Sequence, residues 1–151
     1  PPNTLDRVGG ALSNQHGRSH IENWGQPEHS LTFEVQPLGS GRHAIQLVYG
    51  NGGGSESTGI TCGVKRVSIT DALGVEVQGG TLVMPQLGSW GRWADSSMVF
   101  AQLEAGAVYQ VHITDGFNMS YLDHYRHYAA TGGGPGSWNY VNIAGAKVLR
   151  F

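Results

Sequence analysis

The stretch SLTFEVQPLGSGRHAIQLVY, residues 30–49, decides the fold class. Between Ser30 and Val35 the apolar residues Leu31, Phe33 and Val35 fall at every second position, so they share one face of an extended strand. Pro37, Gly39 and Gly41 then interrupt the pattern with turn residues. From Arg42 to Tyr49 the alternation resumes, with Ile45, Leu47 and Tyr49 on the face expected in the core and Ala44, Gln46 and Val48 on the other. Two alternating runs separated by turn residues read as two short strands.

The same period returns downstream. Val64–Ile69 carries apolar residues at 67 and 69; Ser97–Leu103 places Val99, Ala101 and Leu103 together; Val108–Ile113 does so with Tyr109, Val111 and Ile113. A last run, Ala146–Phe151, sets Ala146 and Val148 against Lys147, Leu149 and Phe151. Turn-forming clusters separate the runs at Gly50–Gly59, Gly79-Gly80, Glu104-Ala105-Gly106 and Gly132–Gly136. Only Ser120–Ala130 has helical promise, and it is short. Many short alternating strands with such turns predict an all-β protein, an antiparallel sandwich or barrel, over residues 1–151 as a single domain.

Composition narrows the function classes. With 151 residues the chain can bury a sizeable core without disulfide or metal staples. Charged residues are 13% and the formal charge is −2, so a basic face for nucleic acid is not expected. No run of about 18 apolar residues spans a membrane. The one cysteine, Cys62, forms no internal disulfide and is expected as a buried strand residue rather than a reactive thiol. No signal peptide precedes Pro1, and a start on Pro-Pro-Asn is expected of a module excised from a longer chain.

Taken in order, several segments resemble the carbohydrate-binding modules of families 6 and 35. Asn14-Gln15-His16-Gly17, then Asn23-Trp24-Gly25 and Ser30–Phe33, are similar to their opening loop and first core strand. Leu47-Val48-Tyr49-Gly50-Asn51-Gly52-Gly53 is similar to their Arg-Tyr-Ala-Asn-Gly segment, and Met84-Pro85-Gln86-Leu87-Gly88-Ser89-Trp90 to their Pro-x-Thr-Gly-Ser-Trp loop. Leu103-Glu104-Ala105-Gly106 matches their Leu-x-Ala-Gly turn. The likeness covers roughly residues 12–115 and resumes at 139–149. It implies a jelly-roll sandwich of the galactose-binding-domain type and a non-catalytic module. Such a module holds a secreted or periplasmic glycoside hydrolase, or a related enzyme, on plant or microbial polysaccharide or oligosaccharide.

The resemblance also implies a structural calcium, held by an acidic residue near the N-terminus and an aspartate in the final strand. Here Ala144 stands in the final strand and Asp6 is the acidic residue at the other end. Calcium takes six to eight oxygen ligands, usually with carboxylates. A bound calcium is therefore not expected, nor any other cofactor. A second departure is the segment FNMSYLDHYRHYAATGGGPGSWN, residues 117–139, which the family pattern does not contain.

Sugars are held by aromatic rings stacked on the C–H face of a pyranose and by planar polar groups that bond vicinal hydroxyls. The resemblance makes Trp90 the stacking platform, with Asn51, Asn118 and the first-loop His16 as polar contacts; Trp93, entering the next strand, is expected to pack. The departing segment adds Tyr121 and Asp123 as further sugar contacts. His124 and His127, three apart and beside Asp123, have the chemistry of a metal site, but two imidazoles and one carboxylate fall short of a complete set. The alternative is an ancillary structural domain that packs these aromatic residues against a catalytic domain. An enzyme is disfavoured. A glycosidase needs two positioned carboxylates and none stand out among 11 acidic residues, while a polysaccharide lyase would rest on Tyr121, His124 and Arg126 alone.

Overall fold

The computed structural model of the chain describes residues 6–52, 62–117 and 139–151. Its elements are β1 (Asp6–Val8), β2 (Ala11–Ser13), β3 (His20–Trp24), β4 (Ser30–Val35), β5 (Gly41–Gly50), β6 (Gly63–Thr70), β7 (Glu76–Met84), β8 (Ala94–Asp95), β9 (Val99–Leu103), β10 (Tyr109–Asp115) and β11 (Val141–Arg150). They form two sheets. One runs β1-β4-β10-β6-β7; the other runs β2-β3-β11-β5-β8, with β9 also pairing β5, and every pair is antiparallel. The fold is an all-β sandwich, one of the two arrangements that the alternation predicts and the one that the resemblance implies.

Period-two patterning sends alternate residues of each sheet inward. Leu31, Phe33 and Val35, then Val67 and Ile69, Tyr109, Val111 and Ile113 come from the first sheet; Ile45, Leu47, Tyr49, Val99, Ala101 and Leu103 come from the second. Burying a side chain of this size contributes about 1.5–3 kcal/mol each, so this shared interior is what holds the sheets face to face. Trp24, from β3, is fully buried within it.

Several local expectations change. Gly79-Gly80 is not a turn but lies inside β7, paired with Ser68 and Val67, and glycine at 80 leaves room for Val99, whose side chain a Cβ there would meet at 2.8 Å. The final strand begins five residues earlier than its alternation suggests. Its buried part is Val141–Ile143, whereas Ala146 to Arg150 are exposed. Both faces of β5 are covered, since Gln46 is also buried and donates to the Ser96 carbonyl at 2.8 Å. Cys62 is half-buried and precedes β6 rather than belonging to it. The Ser120–Ala130 stretch lies outside the described residues, and there is no helix among those described.

Register places the chemistry. Gly50 pairs with Asn142, Gly63 with Met84, Lys65 with Asp115, and Trp24 with Val141. The ends of β3, β5, β7 and β10 and the starts of β6 and β11 therefore meet at one end of the sandwich.

Candidate functional site

At that end the chain leaves β5 through Asn51 and Gly52, and the segment after β7 folds back over them. Asn51 is buried; its side-chain amide donates to the Met84 carbonyl at 3.0 Å, and its own carbonyl accepts the Leu87 amide at 2.7 Å. The Tyr49 hydroxyl donates to the Pro85 carbonyl at 2.8 Å. Burial, with the neighbouring Cys62 as a smaller contribution, pushes the Tyr49 phenol up to about 12, so it stays a donor across the ordinary pH range. Burial likewise raises the Cys62 thiol, against a smaller opposing contribution from the Met84 backbone, which favours the unreactive thiol form.

The loop that follows is stitched to itself. Gly88, at φ 83°, donates its amide to the Gln86 side-chain oxygen, the Gly91 amide donates to Ser89 Oγ at 3.1 Å, and the Arg92 amide donates to the Ser89 carbonyl at 3.3 Å. Trp90, at the crest, is half-buried. Gly52 lies directly beneath it: a Cβ there would stand 2.5 Å from the Trp90 amide nitrogen and 2.9 Å from its indole Cγ. Only glycine allows the two backbones to approach this closely.

Trp93 occupies a different environment, as expected of a packing residue. Its indole N–H donates to the His16 carbonyl at 3.0 Å, its ring lies 5.1 Å from His20 at a tilt of 56°, and the Arg18 guanidinium sits 5.5 Å above it. Gly50 makes room for it from below. His16 itself is exposed and at φ 57°, the left-handed region that non-glycine residues enter mainly in tight turns. Trp93 thus ties the first loop to the one carrying Trp90.

Of the residues expected at a sugar site, Trp90 and Asn51 come together, and His16 joins them through Trp93. Asn118, Tyr121, Asp123, His124 and His127 lie outside the described residues. The two points where that segment meets the sandwich are described, and they enclose a polar knot. The Lys65 ammonium is fully buried, donates to the Asn139 carbonyl at 2.7 Å, lies 3.4 Å from Asp115 Oδ1, and sits 4.9 Å from the Trp24 ring centre. The Asn139 side chain accepts the Val64 amide at 2.6 Å and donates to Asp115 and to the Gly116 carbonyl. Burial lowers the Lys65 pKa to about 8, with Asp115 opposing the shift. Sequence alternation held the signal for this group: Lys65 shares the core-facing parity of Val67 and Ile69, where a lysine is unusual.

Asp6 lies on β1 of one sheet and Ala144 on β11 of the other, and no group of three or more His, Cys, Asp or Glu fit to hold a metal occurs among the described residues.

No protein-family model matches the chain, and no curated protein matches it. Solved structures do. The chain is similar to an Arthrobacter globiformis T6 isomalto-dextranase complexed with panose (TM-score 0.63, 20% identity), covering 98% of this chain but only 22% of that one. A family 35 carbohydrate-binding module in complex with a glucuronic acid-containing disaccharide is matched over 96% of this chain and 86% of the module (TM-score 0.58, 18% identity). A family 35 module from Clostridium thermocellum is matched over 99% and 93% (TM-score 0.60, 15% identity). At such identities the likeness speaks to architecture, and the architecture is the one the ordered motifs imply: the chain has the β-sandwich fold seen in family 35 carbohydrate-binding modules.

Proposed function

We propose that the chain is a non-catalytic carbohydrate-binding module that holds an associated enzyme, most simply a glycoside hydrolase, on a polysaccharide outside the cytoplasm. The observation that carries this reading is the half-buried Trp90 ring, seated on Gly52 at the crest of a loop that Asn51 clasps from below. An aromatic ring fixed in this way meets the C–H face of a pyranose at low entropic cost, because it loses little freedom on binding. Asn51 acts mainly by shaping the loop, and His16, Asn118, Tyr121 and Asp123 supply polar or aromatic contacts around it. Tethering of this kind raises the local substrate concentration for a linked catalytic domain without new chemistry. Support from outside the chain is the fold it shares with a family 35 module solved with a glucuronic acid-containing disaccharide.

The test is calorimetric titration of a panel of plant and microbial oligosaccharides, with Trp90→Ala as the comparison. Binding by the native chain that falls at least tenfold in the variant supports the reading. Binding that survives Trp90→Ala moves the site elsewhere, and no binding to any member of the panel overturns the module assignment.

A further inference from the structure

One buried imidazole has only half of its hydrogen bonding met, and it lies against the segment that carries both loop tryptophans. His20 opens β3 with a fully buried side chain. Its Nδ1 stands 2.8 Å from the Arg18 carbonyl. A carbonyl only accepts, so Nδ1 carries the proton, and Nε2 of the neutral ring is left as an acceptor. That Nε2 is buried, and no donor among the described residues reaches it. An unmet buried acceptor is unfavourable.

A second proton reverses the balance. Both nitrogens of an imidazolium donate, and Glu22 Oε2 stands 4.0 Å from Nε2, on a side chain that is 31% exposed and has room to close in. The Trp93 ring, 5.1 Å from that of His20, is within cation–π range of the new charge. The cations that oppose it are Arg18, 5.5 Å above the same indole, and His16 when protonated, its ring 5.8 Å from His20. Both are exposed, so water screens them. Arg92, next to Trp93, is exposed too and donates to the Leu87 carbonyl at 3.4 Å. β2 sets Ser13 opposite His20, and β11 brings Asn142, Ile143 and Ala144, none of which titrates. Farther across the sheet Asp95 is held by Lys147 at 2.8 Å.

We propose that His20 is a proton-sensitive latch for the sugar site: proton uptake at Nε2 tightens its hold on Trp93 and, through Trp93, steadies the loop bearing Trp90. This regulation rests on the reading of Trp90 as the sugar platform. The path between the two is short. Trp93 is tied to the first loop by its bond to the His16 carbonyl, and the Arg92 amide closes the turn back to the Ser89 carbonyl on the other side of Trp90. Imidazole changes charge between pH 5 and 8. Because the latch holds the protonated ring, its contribution is present on the acid side and lost as the pH rises through that window. A steadier platform loses less freedom on binding, so affinity for sugar rises in acid.

Side-chain nitrogen NMR on the parent chain should show His20 Nε2 as a bare acceptor at pH 8 and bearing a proton at pH 5, the bounds of imidazole titration. Without any sugar present, amide exchange at residues 88–93, corrected for its intrinsic pH dependence, should slow severalfold over the same interval. Calorimetry with the panel oligosaccharide that the parent binds most tightly should give about fivefold tighter binding in acid, the low end of coupling between sites. His20→Gln should flatten both pH effects, and Glu22→Gln, a change on the exposed side of the strand, should shrink them. His16→Gln should keep both ratios, whatever it does to affinity itself. A bare Nε2 at pH 5, exchange that does not slow, slowing that persists in His20→Gln, or affinity that stays constant while the loop slows overturns the proposal. If no oligosaccharide binds at all, the module reading falls, while the NMR and exchange measurements still decide whether His20 latches the loop.

Discussion

The side-chain amide of Asn51 and the carbonyl of Met84 are joined by a buried hydrogen bond of 3.0 Å. The bond links the exit of β5 to the exit of β7, and it fixes where the loop bearing Trp90 begins. Asn51→Ala leaves the Met84 carbonyl without this donor, which costs about 1–3 kcal/mol of stability. Sugar binding should fall along with it, because the platform loses its anchor. Urea unfolding and calorimetry on the same preparation check both effects; a stable variant with unchanged binding would remove Asn51 from the site.

The two tryptophans should separate by phenotype. Trp90→Ala is expected to weaken saccharide binding at least tenfold with a stability loss under about 1 kcal/mol. Trp93→Ala removes the ring between His16, His20, Arg18 and Gly50, and should cost about 2 kcal/mol through lost burial and a lost hydrogen bond. Thermal denaturation beside titration distinguishes them.

Gly52→Ala tests the seating of Trp90. The added methyl would stand 2.5 Å from a backbone nitrogen, so the loop must move rather than a side chain. The expected outcome is a shifted tryptophan emission and weakened binding, with the strands intact by circular dichroism.

Lys65 gives the pH prediction. Its folded pKa of about 8 lies below the ordinary 10.5, so between those values the unfolded chain binds the extra proton. Stability from this group therefore rises with pH from about 8 to 10.5, by roughly 3 kcal/mol. Tyr49 acts in the opposite sense above pH 10, where the unfolded phenol loses its proton and the folded one, at about 12, does not. Unfolding free energy measured from pH 7 to 11 should rise and then fall. Lys65→Met should abolish the rise, and at pH 7 it should be destabilised by about 3 kcal/mol because Asp115 loses its buried partner.

The strands that carry the core were legible because their neighbours demand it: with one face buried, Leu31-x-Phe33-x-Val35 and Tyr109-x-Val111-x-Ile113 leave no other period. β1, β2 and β8 were not, since two or three residues are too few to show alternation. β7 was hidden by Gly79-Gly80, which reads as a turn until the approach of Val99 is seen. β3 was hidden by Asn23, whose φ of 54° breaks its pattern.

The site divides in the same way. The sequence by itself determined that Trp90 sits in a Gly-Ser-Trp turn and that Asn51 opens a glycine-rich connection, because turn residues declare themselves locally. Only the tertiary structure decided that Asn51 is a buried clasp, that Gly52 is the floor under Trp90, and that Trp93 packs against the first loop. The knot of Lys65, Asp115 and Asn139 was decided there too. These contacts join residues tens of positions apart, and register between strands, which no local pattern encodes, is what brings them within hydrogen-bond reach.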